Sequence, residues 1–141
     1  MEFQEVKKEF FSFRNGVIAK AFLDAGYPYK HIYGLQIPEL GRIAAKCGIS
    51  DKELAEKLWA DRECRESRLL ATWLFDPETT DFRKAVEIMM DVRTQEEADL
   101  LAFRFLKRLS FAHELSDSEL PGGNSTPLLN YVREALKRNL K

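Results

Sequence analysis

Arg65 and Arg68 stand three residues apart in the stretch LWADRECRESRLLATWLFDP, residues 58–77. On a helix that spacing puts both guanidinium groups on one side. A guanidinium keeps its charge near neutral pH and offers forked donors, which suits phosphate oxygens. Arg104, Lys107 and Arg108 repeat the pattern farther along. The chemistry these five cations could do is polyanion binding. A structural alternative stands beside it: either arginine could pair with Glu66, Glu63 or Asp61 and only hold helices together. For bond-breaking chemistry the sequence offers less. Glu96 and Glu97 are candidate acids, yet both fall in Thr94-Gln95-Glu96-Glu97, a capping box whose carboxylate serves a free backbone N–H. Cys47 and Cys64 form no C-x-x-C pair and have no histidine partner, so neither zinc nor a disulfide framework is expected. His31 and His113 lie far apart, and PGGN at 121–124 is a turn without the following lysine of a phosphate loop. No metal and no cofactor are expected.

The elements that must position these residues read as helices. The chain has 141 residues, so a single domain, 1–141, is the expectation. Hydrophobic residues are 45% and charged residues 32%, a globular balance that argues against disorder and against a membrane protein. The formal net charge is −1, so any polyanion site must be a local cluster. The N-terminus MEFQEVKKEF is charged throughout and is not a signal peptide. No run approaches a membrane span. The expected location is therefore intracellular, in the cytoplasm, with no membrane partner.

Phe3, Val6, Phe10 and Phe13 make one apolar stripe, and Val17, Ile18, Ala21, Phe22 and Ala25 a second, with Asn15-Gly16 between and Gly26 at the end. A turn-rich connector follows. Pro38 fits a first helical position and Gly48 a C-terminal cap. Ser50-Asp51-Lys52-Glu53 is a capping box for a helix to about Ala60. Further helices are expected over roughly 63–75, from Asp81 to about Asp91, from the Thr94 box to about Ala112, and from Thr126-Pro127 to the basic end. No convincing strand appears. Helices 51–60 and 63–75 should pair, and so should 82–91 and 95–112. Glu66-Ser67-Arg68-Leu69-Leu70-Ala71 matches Glu97-Ala98-Asp99-Leu100-Leu101-Ala102 at an offset of 31, the grammar of a helical repeat array. Projected at about 100° per residue, 63–75 is apolar nearly all round, with a narrow window holding Arg65, Arg68 and Thr72. An inner helix of a repeat array would turn that window into a groove. The expectation is all-α: antiparallel helix-pair repeats in a short, right-handed, curved solenoid.

The runs YGLQIPELGRIAAKCG and KELAEKLWADRECRESRLLATWLFDP resemble the AlkD-like DNA alkylation repair proteins, which are HEAT-like helical repeat DNA glycosylases. The likeness rests on Tyr33, Gly34, Pro38 to Leu40, Glu53, Leu54, Leu58 to Ala60, Glu66, Arg68 to Ala71 and Asp76-Pro77, and covers roughly 27–110. It implies a solenoid whose basic concave surface holds duplex DNA, and excision of alkylated purines assisted by a carboxylate near the sugar. The chain departs from that pattern at the chemistry. The family's Trp-Asp pair falls on Arg93-Thr94 when Asp91 is matched, and Trp59 and Trp73, the only tryptophans, sit at packing positions. Glu96 and Glu97 are the remaining candidate acids. The expected function is duplex DNA binding of a DNA-repair kind, with Arg65, Arg68, Arg104, Lys107 and Arg108 as the contact residues and glycosylase catalysis left open. The competing expectation is a non-catalytic scaffold that binds a protein partner.

Overall fold

A computed structural model describes residues 1–48, 51–117 and 126–141. The described residues form nine α-helices and no strand beyond one isolated bridge, so the protein is all-α. They divide into two compact units, Met1–Phe75 and Asp76–Lys141.

The first unit holds α1 (Phe3–Ser12), α2 (Gly16–Asp24), α3 (Ile37–Cys47), α4 (Lys52–Ala60) and α5 (Arg65–Leu74). α1 buries Val6 and Phe10 from its stripe, while Phe13, just past the helix, stays exposed. Asn15 caps α2, its side chain accepting from the Val17 and Ile18 N–H groups at 3.1 and 3.2 Å. Pro38 sits at the second position of α3 rather than the first. Gly48 ends that helix with φ +86°. Ser50 of the expected capping box lies outside the described residues; Asp51 is the cap, accepting from Leu54 N–H at 3.2 Å. α4 and α5 pack together as expected, and α5 packs on α3 as well. Leu69, Leu70 and Ala71 are fully buried. At about 1.5–3 kcal/mol for each fully buried leucine, α5 is held chiefly by this face.

The second unit holds α6 (Phe82–Met90), α7 (Gln95–Arg104), α8 (Ala112–Asp117) and α9 (Pro127–Asn139). Asp81, Thr94 and Thr126 cap α6, α7 and α9 through Lys84, Glu97 and Leu129 N–H groups at 2.8, 3.1 and 3.0 Å. Two expectations are corrected here. The long helix to Ala112 stops at Arg104: Phe105 leaves helical geometry, and Leu106–Arg108 is a 3₁₀ turn. The expected pairing of 82–91 with 95–112 is not the main one: α7 packs chiefly on α9 rather than on α6, and α8 packs on α9 too. A straight helix through 95–117 would run about 34 Å against roughly 20 Å for α9, so the chain must bend for both segments to lie on it. The bend also buries Phe105, Leu106, Leu109 and Ala112 together.

One glycine is fixed by its surroundings. Gly34 has φ +84°, and a Cβ there would collide with the Asn15 carbonyl oxygen and lie 2.9 Å from the Ala19 nitrogen. The connector passes this close because Asn15 N–H donates to the Tyr33 carbonyl at 2.8 Å. Gly41 lies inside α3 with open space where its Cβ would be. Gly34→Ala is expected to cost at least about 2 kcal/mol through strain and overlap. Gly41→Ala should instead stabilise by about 0.5–1 kcal/mol by raising helix propensity. Urea midpoints of the two variants against the parent chain check the opposite signs.

Candidate nucleic-acid interface

Arg65 and Arg68 begin α5, and both are buried, at 2% and 0% exposure. Arg65 Nη1 donates to the Leu35 carbonyl at 2.7 Å and to Glu66 Oε2 at 2.6 Å, and its guanidinium lies 4.2 Å from the Phe22 ring centre. Arg68 Nη1 donates to the Trp59 carbonyl at 2.6 Å, and its guanidinium stacks 3.5 Å over the Trp59 ring. Glu66, fully buried, accepts from Tyr33 N–H at 2.8 Å and Gly34 N–H at 3.2 Å. This corrects the expectation of an open arginine strip at these two positions: both side chains are occupied inside the protein. The alternative pairing with Glu66 is what Arg65 adopts. Asp61 takes Lys7 Nζ at 2.6 Å and Ser67 Oγ at 2.7 Å instead.

Glu97 is fully buried in the first turn of α7, where Glu97 Oε1 accepts from Arg93 N–H at 2.9 Å. Glu66 and Glu97 thus match in place and task as well as in sequence: each is a buried first-turn carboxylate receiving backbone N–H groups. Glu96, beside it, is partly exposed.

The remaining cations gather at the end of α7. Arg104 and Lys107 are partly exposed and Arg108 is exposed. Two of them, Arg104 and Lys107, lie beside Phe103, which is 47% exposed although it is a large apolar side chain. Lys107 Nζ lies 3.9 Å from the Phe103 ring centre, and the Arg104 guanidinium 5.3 Å. Arg108 Nη1 reaches back to the Arg104 carbonyl, released at the helix end, at 3.2 Å. One turn earlier on the same face, Asp99 accepts from Tyr131 Oη at 3.0 and 3.1 Å and pairs with Arg138 at 3.5 Å. The Arg138 guanidinium lies 5.6 Å from the Tyr131 ring centre. Asp99 is thereby engaged from α9, and the α7 end places Lys107 and Arg104 beside an aromatic ring. Phe103, Tyr131 and Arg138 were not singled out from sequence. The signal for Phe103 was available: an aromatic followed at i+4 by lysine, on a helix whose buried leucines lie elsewhere.

In the first unit burial acts on several titratable groups. Burial pushes the Cys64 thiol up against opposing hydrogen bonds with Ser67 and the charge of Lys7. Burial likewise raises Cys47, against the N-terminal amine. At Lys7 burial acts to lower the pKa, but the Asp61 hydrogen bond and neighbouring attractions outweigh it and the net shift is upward. Among the described residues, no group of three or more His, Cys, Asp or Glu side chains is placed to hold a metal ion. No helix among them is long and apolar enough to cross a membrane.

No family model matches the chain, and no curated protein and no solved structure matches it.

Two outcomes follow from the buried groups. Reversal of Arg65 or Arg68 to Glu is expected to destabilise the protein by about 3–5 kcal/mol, because a buried partner is left facing like charge or an empty donor site. Chemical denaturation of each single variant checks it; an unchanged midpoint would return both arginines to the surface. Stability should also fall in alkali. Above about pH 8.5 the unfolded chain sheds thiol protons that native Cys47 and Cys64 retain. The raised Lys7 acts in the same direction: its contribution is complete below the unfolded lysine value, about 10.4, and is lost as pH rises through its folded value. Urea midpoints between about pH 7 and 10 should decline from the thiol range upward, and Cys47→Ala with Cys64→Ala should move the onset higher.

Proposed function

We propose that this chain is a nucleic-acid-binding helical repeat protein of the DNA-repair kind, engaging duplex DNA through the second unit. The observation that carries the reading is the cation cluster on the exposed Phe103: Lys107 at 3.9 Å, Arg104 at 5.3 Å and Arg108 exposed beside them. Lysine and arginine at the surface neutralise phosphates and release counterions, which supplies affinity without reading sequence. The net charge of −1 then limits binding to this local patch. The resemblance to AlkD-like proteins supports the same ligand and a HEAT-like curved array of helix pairs. The matched first-turn carboxylates Glu66 and Glu97 support a repeat. Binding, and not base excision, is the proposed activity, since the Trp-Asp positions are Arg93-Thr94 and Glu97 is committed to a backbone N–H.

A second reading, a protein-interaction scaffold, is favoured by one observation in the first unit. Phe11, Phe13, Val17 and Leu23 are exposed at 57%, 37%, 82% and 47%. Apolar side chains exposed in such numbers over one stretch suit a protein partner.

The two readings separate in a titration of labelled duplex DNA at several salt concentrations. Nucleic-acid binding predicts measurable affinity at low salt that falls as salt rises. Lys107→Glu with Arg108→Glu should weaken it and flatten the slope of log affinity against log salt by roughly two units. Absence of duplex binding to the parent chain at low salt sinks the duplex reading, and absence of binding to any oligonucleotide sinks the nucleic-acid reading and favours the scaffold.

A further inference from the structure

Resting on the nucleic-acid reading above, we propose that Phe103 is a stacking platform for an unpaired nucleobase, with Lys107 and Arg108 holding the flanking phosphates. The face then holds paired duplex through phosphate contacts alone and binds DNA with an unpaired base, at a gap in a duplex or in a single strand, more tightly. A phosphate contact explains the cations but not the ring. A phenyl face carries negative charge density and gains nothing from a phosphate, whereas the π-face of any base stacks on it. In a paired duplex those faces are buried in the stack and only groove edges and backbone are offered. Phe103 stands 47% exposed with the Lys107 and Arg104 side chains beside its ring. Lys107 now covers one face of the ring at 3.9 Å. A cation–π contact at an exposed site is weak, so a lysine drawn to a phosphate readily leaves that face to a base. Asp99, one turn earlier, would repel a backbone, but Tyr131 and Arg138 already engage it.

The test compares three labelled oligonucleotides by anisotropy with the full chain: a single strand, the paired duplex, and the duplex with a short gap. A 2-aminopurine in the single strand reports stacking by quenching. The expected result is tighter binding of the single strand and the gapped duplex than of the paired duplex, with quenching on binding. Phe103→Ala should weaken the single strand about tenfold and leave the paired duplex unchanged, while Phe103→Trp restores the loss. Circular dichroism of each variant confirms that the exposed position tolerates the change. If Phe103→Ala has no effect, or weakens all three equally, while Lys107→Glu with Arg108→Glu still abolishes binding, stacking is overturned and the phosphate interface survives. If no oligonucleotide binds the parent chain, the proposed function fails and this inference goes with it.

Discussion

The first unit depends on where one carboxylate goes. Glu66 is fully buried, and its oxygens receive Tyr33 N–H, Gly34 N–H and Arg65 Nη1. A buried charge is tolerated only when its lone pairs are used, and here three donors use them. Two of those donors, the Tyr33 and Gly34 N–H groups, come from a connector outside any helix. The same connector is held from other sides: His31 N–H donates to the Glu63 carbonyl, Arg65 N–H to the His31 carbonyl, and Arg65 Nη1 to the Leu35 carbonyl. The start of α5 therefore replaces the missing strand partner for residues 31–35. The charged pair gives this loop one conformation more than it adds net stability.

Much of the helical pattern was legible because it is local. Caps at Asp81, Thr94 and Thr126 announce their helices through short polar side chains, and each accepts from the N–H three residues on. Gly26 and Gly48 close theirs with positive φ. The break at Phe105 was not legible. Leu101, Phe105, Leu109 and Ala112 fall on one stripe of a continuous helix, so the pattern itself favours continuation. What stops the helix is the length of α9, a tertiary constraint with no local sign.

The site was legible only in part, and the reason is the long arginine side chain. A helical projection tells where Cα–Cβ points but not where a guanidinium six atoms away ends. Arg65 and Arg68 lie on a polar window, yet their heads turn onto Phe22 and Trp59 and into backbone carbonyls. Aromatic residues at positions 22 and 59 were visible but assigned to packing, and packing with a cation uses the same residue types as packing with a leucine. Lys107 and Arg108 lie past the end of α7 and keep part of their side chains at the surface.

The reach of Glu66 also sets an order in time. Synthesis runs from the N-terminus at about 5–20 residues per second, so roughly 2–7 s separate the addition of Tyr33 from that of Glu66. Throughout that interval α1, α2 and the connector exist without their acceptor, and the Tyr33 and Gly34 N–H groups belong to water. The nascent first unit can collapse early, but it cannot acquire its native loop until the first turn of α5 leaves the ribosome. A pause in translation between those two residues lengthens the time for which Phe10, fully buried in the finished unit, lacks its complete cover.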